Sequence, residues 1–357
     1  MKEPTRRQLP FGRAVLVGLG ALALRAAAST PEPVSPTPEP LDSQALVAPF
    51  LARPATPKQK DSQARIALGK LLFFDARLSK NHDISCNTCH DLATYGVDHQ
   101  PVSTGHRGQK GKRNSPTVYN VAGYIAQFWD GRASTLEIQA ESPLFDGDEM
   151  AMPDDQHVVA TLTSMPEYVQ RFQEAFPGEK QPVTLAHVTQ ALAAFERQLT
   201  TRSRFDRFLA GEHAALTEQE RRGLALFVTT GCATCHDGPT LGGTSFRKLG
   251  ASTAYPEARD QGRYEATRDE ADRMQFRVPT LLNVEKTAPY LHDGSVEELP
   301  SVVRLMAKYQ LGQSLTDAQV EELVAFLHSL TGELPRRTIS PPELPKGTPR
   351  TPRPDPT

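Results

Sequence analysis

The sequence is poor in cysteine and tryptophan, and it has neither a long apolar run nor a strong net charge. It contains four cysteines and one tryptophan among 357 residues, and its formal net charge at pH 7 is -2. Strand-forming patterns are few, which favours a mostly α-helical protein. A chain so close to neutral does not resemble a nucleic-acid-binding protein. No apolar run approaches the ~20 residues of a membrane-spanning helix.

Both ends of the chain differ in composition from the middle. Residues 1–28 combine basic residues, an apolar run at 14–24 and three alanines at 26–28, which predicts a secretory signal cleaved near residue 28. Residues 29–60 are rich in proline and predict a linker. Residues 333–357 are similar in composition and predict a disordered tail.

All four cysteines fall in two Cys-x-x-Cys-His motifs, Cys86–His90 and Cys232–His236. In this motif the two thiols attach a c-type haem covalently and the histidine ligates its iron. A zinc site built from two cysteine pairs, or a redox dithiol, could use the same thiols. The histidine that follows each pair favours haem, and haem c is attached after export, so we expect a periplasmic protein with two haems c.

The motifs divide the chain into two haem domains, at residues 61–203 and 204–332. An apolar helical stretch that ends near Phe74 precedes the first motif, and a capping box at Thr217 begins the helix before the second. Further helices are predicted from Ser134, over 184–200, over 296–310 and over 317–330. A helix that leads into a haem motif is how a small cytochrome c begins, so we expect two cytochrome c-like domains.

Several further motifs are similar to those of a known family, the bacterial di-haem cytochrome c peroxidases, which are related to the MauG-type di-haem enzymes. The resemblance runs from about residue 61 to 332. It is carried by both haem motifs and by Asn114-Ser-Pro-Thr117, Gln127-Phe-Trp-Asp-Gly-Arg132, Glu149-Met150, Arg277-Val-Pro-Thr280, Pro289-Tyr-Leu-His-Asp-Gly294 and Met306.

The resemblance assigns different roles to the two haems. It implies that the haem on His90 is peroxidatic, with His106 as a removable sixth ligand, whereas the haem on His236 transfers electrons and has Met306 as its sixth ligand. Met274 is a second candidate for that position, and Met306 could instead be an ordinary core methionine. Glycines beside His106 would let it move away from the iron, although a lone loop histidine is more often simply solvated.

The remaining implied roles concern peroxide chemistry and metal binding. By resemblance, Glu149 is the distal acid/base and Gln139 a distal hydrogen-bonding residue; from sequence alone Glu149 would more often be a solvated acid. Trp129 is implied to lie on the electron path between the haems, and it could equally be a core aromatic. A calcium site is implied at Asn114 and at the backbone carbonyls of Thr287 and Pro289.

Together these expectations describe a periplasmic di-haem cytochrome c peroxidase. It would reduce hydrogen peroxide with electrons from a small cytochrome c or a cupredoxin, and the family commonly forms homodimers. One alternative is a MauG-like enzyme that oxidises a protein partner, although tyrosine replaces the methionine ligand there. The other is a di-haem electron carrier without catalysis.

Overall fold

A computed structural model describes residues 43–51, 60–256 and 259–357, so the predicted signal at 1–28 lies outside the described residues. The α-helices are α1 (Ser43–Leu51), α2 (Gln63–Phe74), α3 (Cys86–Cys89), α4 (Leu136–Phe145), α5 (Asp155–Thr163), α6 (Pro166–Ala175), α7 (Leu185–Glu196), α8 (Arg204–Leu209), α9 (Glu218–Thr229), α10 (Tyr264–Thr267), α11 (Leu299–Leu311), α12 (Asp317–Ser329) and α13 (Arg336–Ile339). Two short strands, β1 (Phe246–Lys248) and β2 (Gln275–Arg277), pair antiparallel. The mostly α-helical expectation is confirmed.

Most of the long helices begin at the capping residues that the sequence marks. The Thr217 side chain accepts from the amide of Glu220 at the start of α9, and Thr316 does the same for α12. The helix start predicted at Ser134 is wrong by one residue, because the Thr135 side chain caps α4 by accepting from the amide of Ile138. Among the described helices, none is both long and apolar enough to cross a membrane.

Two hydrophobic cores organise the compact unit that comprises residues 40–357. In the first, α2 packs against α7; in the second, α9 packs against α12. Each crossing has a glycine at its closest point, where a Cβ would lie 1.8 Å from the Ala191 oxygen at Gly69 and 2.0 Å from the Glu322 oxygen at Gly223. The two domains therefore repeat one helix crossing. In each domain the helix that precedes the haem motif packs against the last long helix of that domain.

Replacing either crossing glycine with alanine should destabilise the protein. The new methyl group would overlap a backbone carbonyl, which cannot rotate away, so the helices must separate at a cost of about 1–3 kcal/mol. Thermal unfolding of the haem-loaded Gly69→Ala and Gly223→Ala proteins measures this. Gly147→Ala is the control, because nothing lies within 4 Å of a Cβ there. If all three variants unfold at the same temperature, the helices do not approach each other closely at Gly69 and Gly223.

The predicted linker at 29–60 includes α1, which packs on the second domain. Phe50 is buried there, and its ring meets that of Phe205 edge-on at 5.3 Å between centroids. Burial of an aromatic ring contributes enough to hold a short helix in place. The linker expectation is therefore wrong for residues 43–51.

The segment 333–357, named the tail below, is not disordered and lies on the first domain. Its apolar side chains Leu334, Ile339 and Leu344 pack against the first core. The tail follows α12 of the second domain, so the chain crosses back to the first. The sequence misleads here because proline-rich composition suggests disorder. The prolines instead lower the conformational entropy of the unfolded tail, so a few apolar residues are enough to hold it on the first domain.

Candidate active site

The first haem motif is held by a short capped helix. Ser85 and Thr88 form a capping box around α3, and the His90 amide donates to the Cys86 oxygen at 3.0 Å. The Nδ1 atom of His90 lies 3.3 Å from the Gly96 carbonyl. Because a carbonyl can only accept, Nδ1 carries the hydrogen and the Nε2 lone pair is left for iron. Burial lowers the pKa of His90, which favours the neutral imidazole that a metal needs.

The second motif repeats this arrangement. The His236 amide donates to the Cys232 oxygen at 3.0 Å, and Nδ1 of His236 lies 3.2 Å from the Leu241 carbonyl. Burial lowers the pKa of His236 as well. Cys86 packs against the first core and Cys232 against the second, so the two pairs do not form one four-thiolate zinc site. Each motif instead presents two free thiols beside a neutral imidazole, which fits one haem c per domain.

A cavity of about 230 Å³ surrounds the second motif. Its mostly apolar wall includes Cys232, Cys235, His236 and Met306. Met274, the other candidate ligand, is buried in a cluster with Leu249 and Phe276, against which Met306 also packs.

Arg277 provides an independent indication of what this cavity holds. Its side chain lines the cavity and is 2% exposed, and its guanidinium lies 4.3 Å from the centroid of the Tyr124 ring. Nε donates to the Phe128 oxygen at 3.2 Å, while Nη1 has no hydrogen-bond partner among the described residues. A buried cation costs much free energy without a counter-ion, and a haem propionate would supply one. The cavity therefore fits haem.

Two of the distal residues predicted for the first haem, His106 and Glu149, are in contact. The His106 amide donates to the Glu149 oxygen at 2.7 Å. Gly105 permits this contact, because a Cβ there would lie 2.0 Å from the Asp148 oxygen. The His106 imidazole is buried, and its Nδ1 atom has no hydrogen-bond partner among the described residues. A buried imidazole nitrogen without a hydrogen-bond partner is free to ligate a metal.

Glu149 is half-buried, and its carboxyl interacts electrostatically with both cysteines of the first haem motif. Burial raises the pKa of its carboxyl to about 7, and Asp146 adds to the shift while Arg132 opposes it. Burial likewise raises the pKa of the Cys89 thiol to about 11, and Glu149 is one of the carboxylates that add to that shift. Glu149 is therefore close enough to the cysteine pair to act on it electrostatically. Gln139 is partly buried on α4, the helix that leads into the turn of Glu149.

Trp129 links the two domains through its backbone and its ring. Its Nε1 atom donates to the Asn114 oxygen at 2.9 Å, and its own carbonyl accepts from the Arg277 amide at 2.8 Å. The ring lines the cavity of the second motif and packs against the same cluster as Met306. The predicted electron-path residue thus lies beside the second haem site.

The three residues predicted to bind calcium line that cavity too, although they are far apart in sequence. They are Asn114, Thr287 and Pro289, the last of which follows a cis peptide bond. Asn114 Nδ2 donates to the Gln100 oxygen at 3.0 Å, so the amide oxygen of Asn114 stays available as a ligand. Asn114 belongs to the first domain, whereas Thr287 and Pro289 belong to the second, so a calcium ion held by these residues would join the two domains.

Sequence reasoning missed a buried ion network that joins the domains. Arg113 pairs with Asp130 and with Asp260, each at 2.6 Å. Asp260 also lies 3.8 Å from the His292 ring, which stacks on Phe276. The sequence gives only a weak indication of this network, because Arg113 is one of several basic residues in a polar loop and Asp260 lies in a loop without periodicity.

The repeated haem motif, helix crossing and neutral histidine define a protein with two cytochrome c-like domains and one c-type haem in each. Residues 63–214 match the family model for di-haem cytochrome c peroxidase, and residues 220–331 match that for cytochrome c. The chain is 45% identical to cytochrome c551 peroxidase of Pseudomonas aeruginosa over 83% of this chain and 86% of that protein. It is 35% identical to the methylamine utilization protein MauG of Methylorubrum extorquens, over 82% of this chain and 83% of the relative.

A solved structure agrees with these sequence relatives. A MauG-like protein associated with microbial copper homeostasis superposes with a TM-score of 0.74 at 31% identity, covering 82% of this chain and 97% of that one. The chain belongs to the di-haem cytochrome c peroxidase family, and it is an oxidoreductase with two c-type haems. The resemblance predicted from its motifs is confirmed.

Proposed function

We propose that this protein reduces hydrogen peroxide to two waters in the periplasm, with electrons from a small cytochrome c or a cupredoxin. The observation that carries the proposal is the pairing of two buried or half-buried groups, because the Glu149 backbone oxygen accepts from the amide of His106 at 2.7 Å and the Glu149 carboxylate adds to the raised pKa of the Cys89 thiol. A protein that only carries electrons needs neither an acid close to a haem nor a removable haem ligand, so this arrangement favours a peroxidase. The donor and a homodimeric state rest on family membership alone.

Glu149 moves the proton that peroxide cleavage requires. Haem c held by Cys86, Cys89 and His90 would supply an iron able to take electrons to peroxide. Heterolysis of the O–O bond requires a proton to leave the inner oxygen and reach the outer one, so that the outer oxygen departs as water. The Glu149 carboxylate can accept that proton and return it, and the raised pKa of its carboxyl suits both transfers. Gln139, on the preceding helix, is proposed to hydrogen-bond peroxide.

His106 is proposed to control access to the first iron. Its buried imidazole has one nitrogen without a partner among the described residues, and Gly105 and Gly108 flank it. Glycine neighbours lower the barrier to moving the ring away. Reduction of the second haem would then release His106 and open the first site.

The second haem is proposed to collect electrons, with His236 and Met306 as its ligands. A thioether ligand stabilises ferrous iron and raises the reduction potential, which suits electron uptake from a donor. Trp129 lines this cavity and donates to the Asn114 oxygen, which supports a role for its ring in electron transfer toward the first haem. Calcium at Asn114, Thr287 and Pro289 would stabilise the loops on both sides of that path.

Turnover of hydrogen peroxide by the haem-loaded protein, with a reduced small cytochrome c, tests the proposal. One sample has its second haem reduced beforehand, one is fully oxidised, and one is reduced and then treated with a calcium chelator. We expect turnover only in the reduced sample that keeps calcium. Turnover in both untreated samples would retain the peroxidase and remove the gating role of His106. No turnover in any sample, with the small cytochrome c or with a reduced cupredoxin in its place, would favour a protein-oxidising enzyme or an electron carrier.

A further inference from the structure

The end of the tail lies against the distal side of the first haem site. Thr348 donates through its hydroxyl to the Ser164 oxygen at 2.9 Å, and the Ser164 hydroxyl donates to that of Thr351 at 2.8 Å. These two hydrogen bonds anchor the tail on the turn after α5. The next residues alternate with proline at 352, 354 and 356, which restricts the backbone to extended conformations.

Backbone hydrogen bonds connect the tail to the distal residues through Lys80. The Asp355 amide donates to the Lys80 oxygen at 2.9 Å, and the Lys80 amide donates to the Met150 oxygen at 2.9 Å. Met150 follows Glu149, whose oxygen accepts from the His106 amide at 2.7 Å. We name Lys80, Glu149, Met150 and His106 the distal layer. Because Lys80 bonds on both sides, the tail and the turn of Glu149 share one scaffold residue.

Side chains strengthen the same junction. Lys80 Nζ lies 3.5 Å from an Asp355 carboxylate oxygen and donates to the Thr357 oxygen at 2.7 Å. The Nε2 atom of His106 lies 3.4 Å from that same oxygen. The end of the tail therefore contacts both the scaffold lysine and the imidazole that is proposed to move.

We propose that the tail is a strap that positions Glu149 and His106 for the peroxide reaction. The inference rests on the proposed function, because positioning matters only if these residues act on peroxide. A proline-rich segment suits the task, since little conformational entropy remains to be lost when it docks. Lys80 is the positioning residue, and it acts through Met150 and Glu149.

Variants of the full-length, haem-loaded protein separate the contacts of the strap. Lys80→Met removes the charge and keeps the backbone bonds, whereas Asp355→Pro removes the amide that donates to Lys80. Lys70→Met is the matched control, because Lys70 also contacts the tail, at Arg337 and Ser340, away from the distal layer. Amide hydrogen exchange at positions 80 and 106 reports on the distal layer without requiring activity.

We expect small effects from Lys80→Met alone, since exposed ion pairs contribute little. The double variant Lys80→Met/Asp355→Pro should exchange about tenfold faster at His106 than the control and lose about tenfold in kcat/KM for peroxide, because misplaced catalytic groups react slowly. Reduction of the second haem by the donor should keep its rate.

Three outcomes would overturn the strap. In the first, the double variant exchanges at His106 no faster than Lys70→Met does. In the second, its amides in α12 also exchange faster, and in the third, its kcat/KM is unchanged although exchange at His106 is faster. If the unmodified protein does not turn over peroxide at all, the proposed function fails, and the exchange rates still decide whether the tail holds the distal layer.

Discussion

Glu149→Gln should lower kcat/KM for hydrogen peroxide by about 10²–10⁴-fold, the contribution of a positioned acid/base. Glutamine keeps the size of the side chain but cannot accept and return a proton. The backbone oxygen of residue 149 still accepts from His106, so the loop keeps its place. Steady-state kinetics of the activated protein, with peroxide as the varied substrate, measures the loss.

Glu141→Gln is the matched control for this prediction. Glu141 lies on α4, the helix that leads into the turn of Glu149, and its side chain is exposed. We expect full turnover from the control and unchanged reduction of the second haem in both variants. Retention of full peroxide turnover by Glu149→Gln would exclude the proposed proton transfer.

Met306→Leu should change the second haem more than any other single substitution outside its attachment motif. Loss of the thioether removes the ligand that favours ferrous iron, so the reduction potential should fall by on the order of 0.1 V or more, within the ~0.8 V range that axial ligands span. The methionine-to-iron absorption band should disappear. Turnover with a small cytochrome c should then fall steeply, because the donor can no longer reduce this haem efficiently.

The same substitution at Met274 distinguishes the two candidate ligands. Met274 is buried with Leu249 and Phe276, so Met274→Leu should cost little stability and leave the potential and the absorption band in place. Redox titration of both variants decides the assignment. A lost band in Met274→Leu, with a normal spectrum in Met306→Leu, would reverse it.

Local signals in the sequence were sufficient for the haem motifs and for most helix starts. Cysteine spacing with an adjacent histidine predicts haem attachment without any knowledge of packing. Thr184, Thr217 and Thr316 predict the starts of α7, α9 and α12, since a cap satisfies amides only two or three residues away. Helix ends were less predictable: the helix expected over 184–200 ends at Glu196, where the chain turns toward Leu199.

Tertiary structure alone decided how these parts assemble. The sequence does not reveal that Gly69 and Gly223 are crossing points, because a helical glycine matters only when another backbone approaches it. It does not reveal that Arg277 of the second domain is buried against Tyr124 and Phe128 of the first.

The tail illustrates the difference most clearly. Its composition predicts disorder, yet Leu344 packs on the first core and Asp355 bonds Lys80. The sequence by itself determined which groups can hold haem and which helices form, since both depend on neighbours along the chain. Only the tertiary structure brought Glu149, His106 and the tail together, because their contacts join residues that are distant in sequence and depend on the packing of both cores.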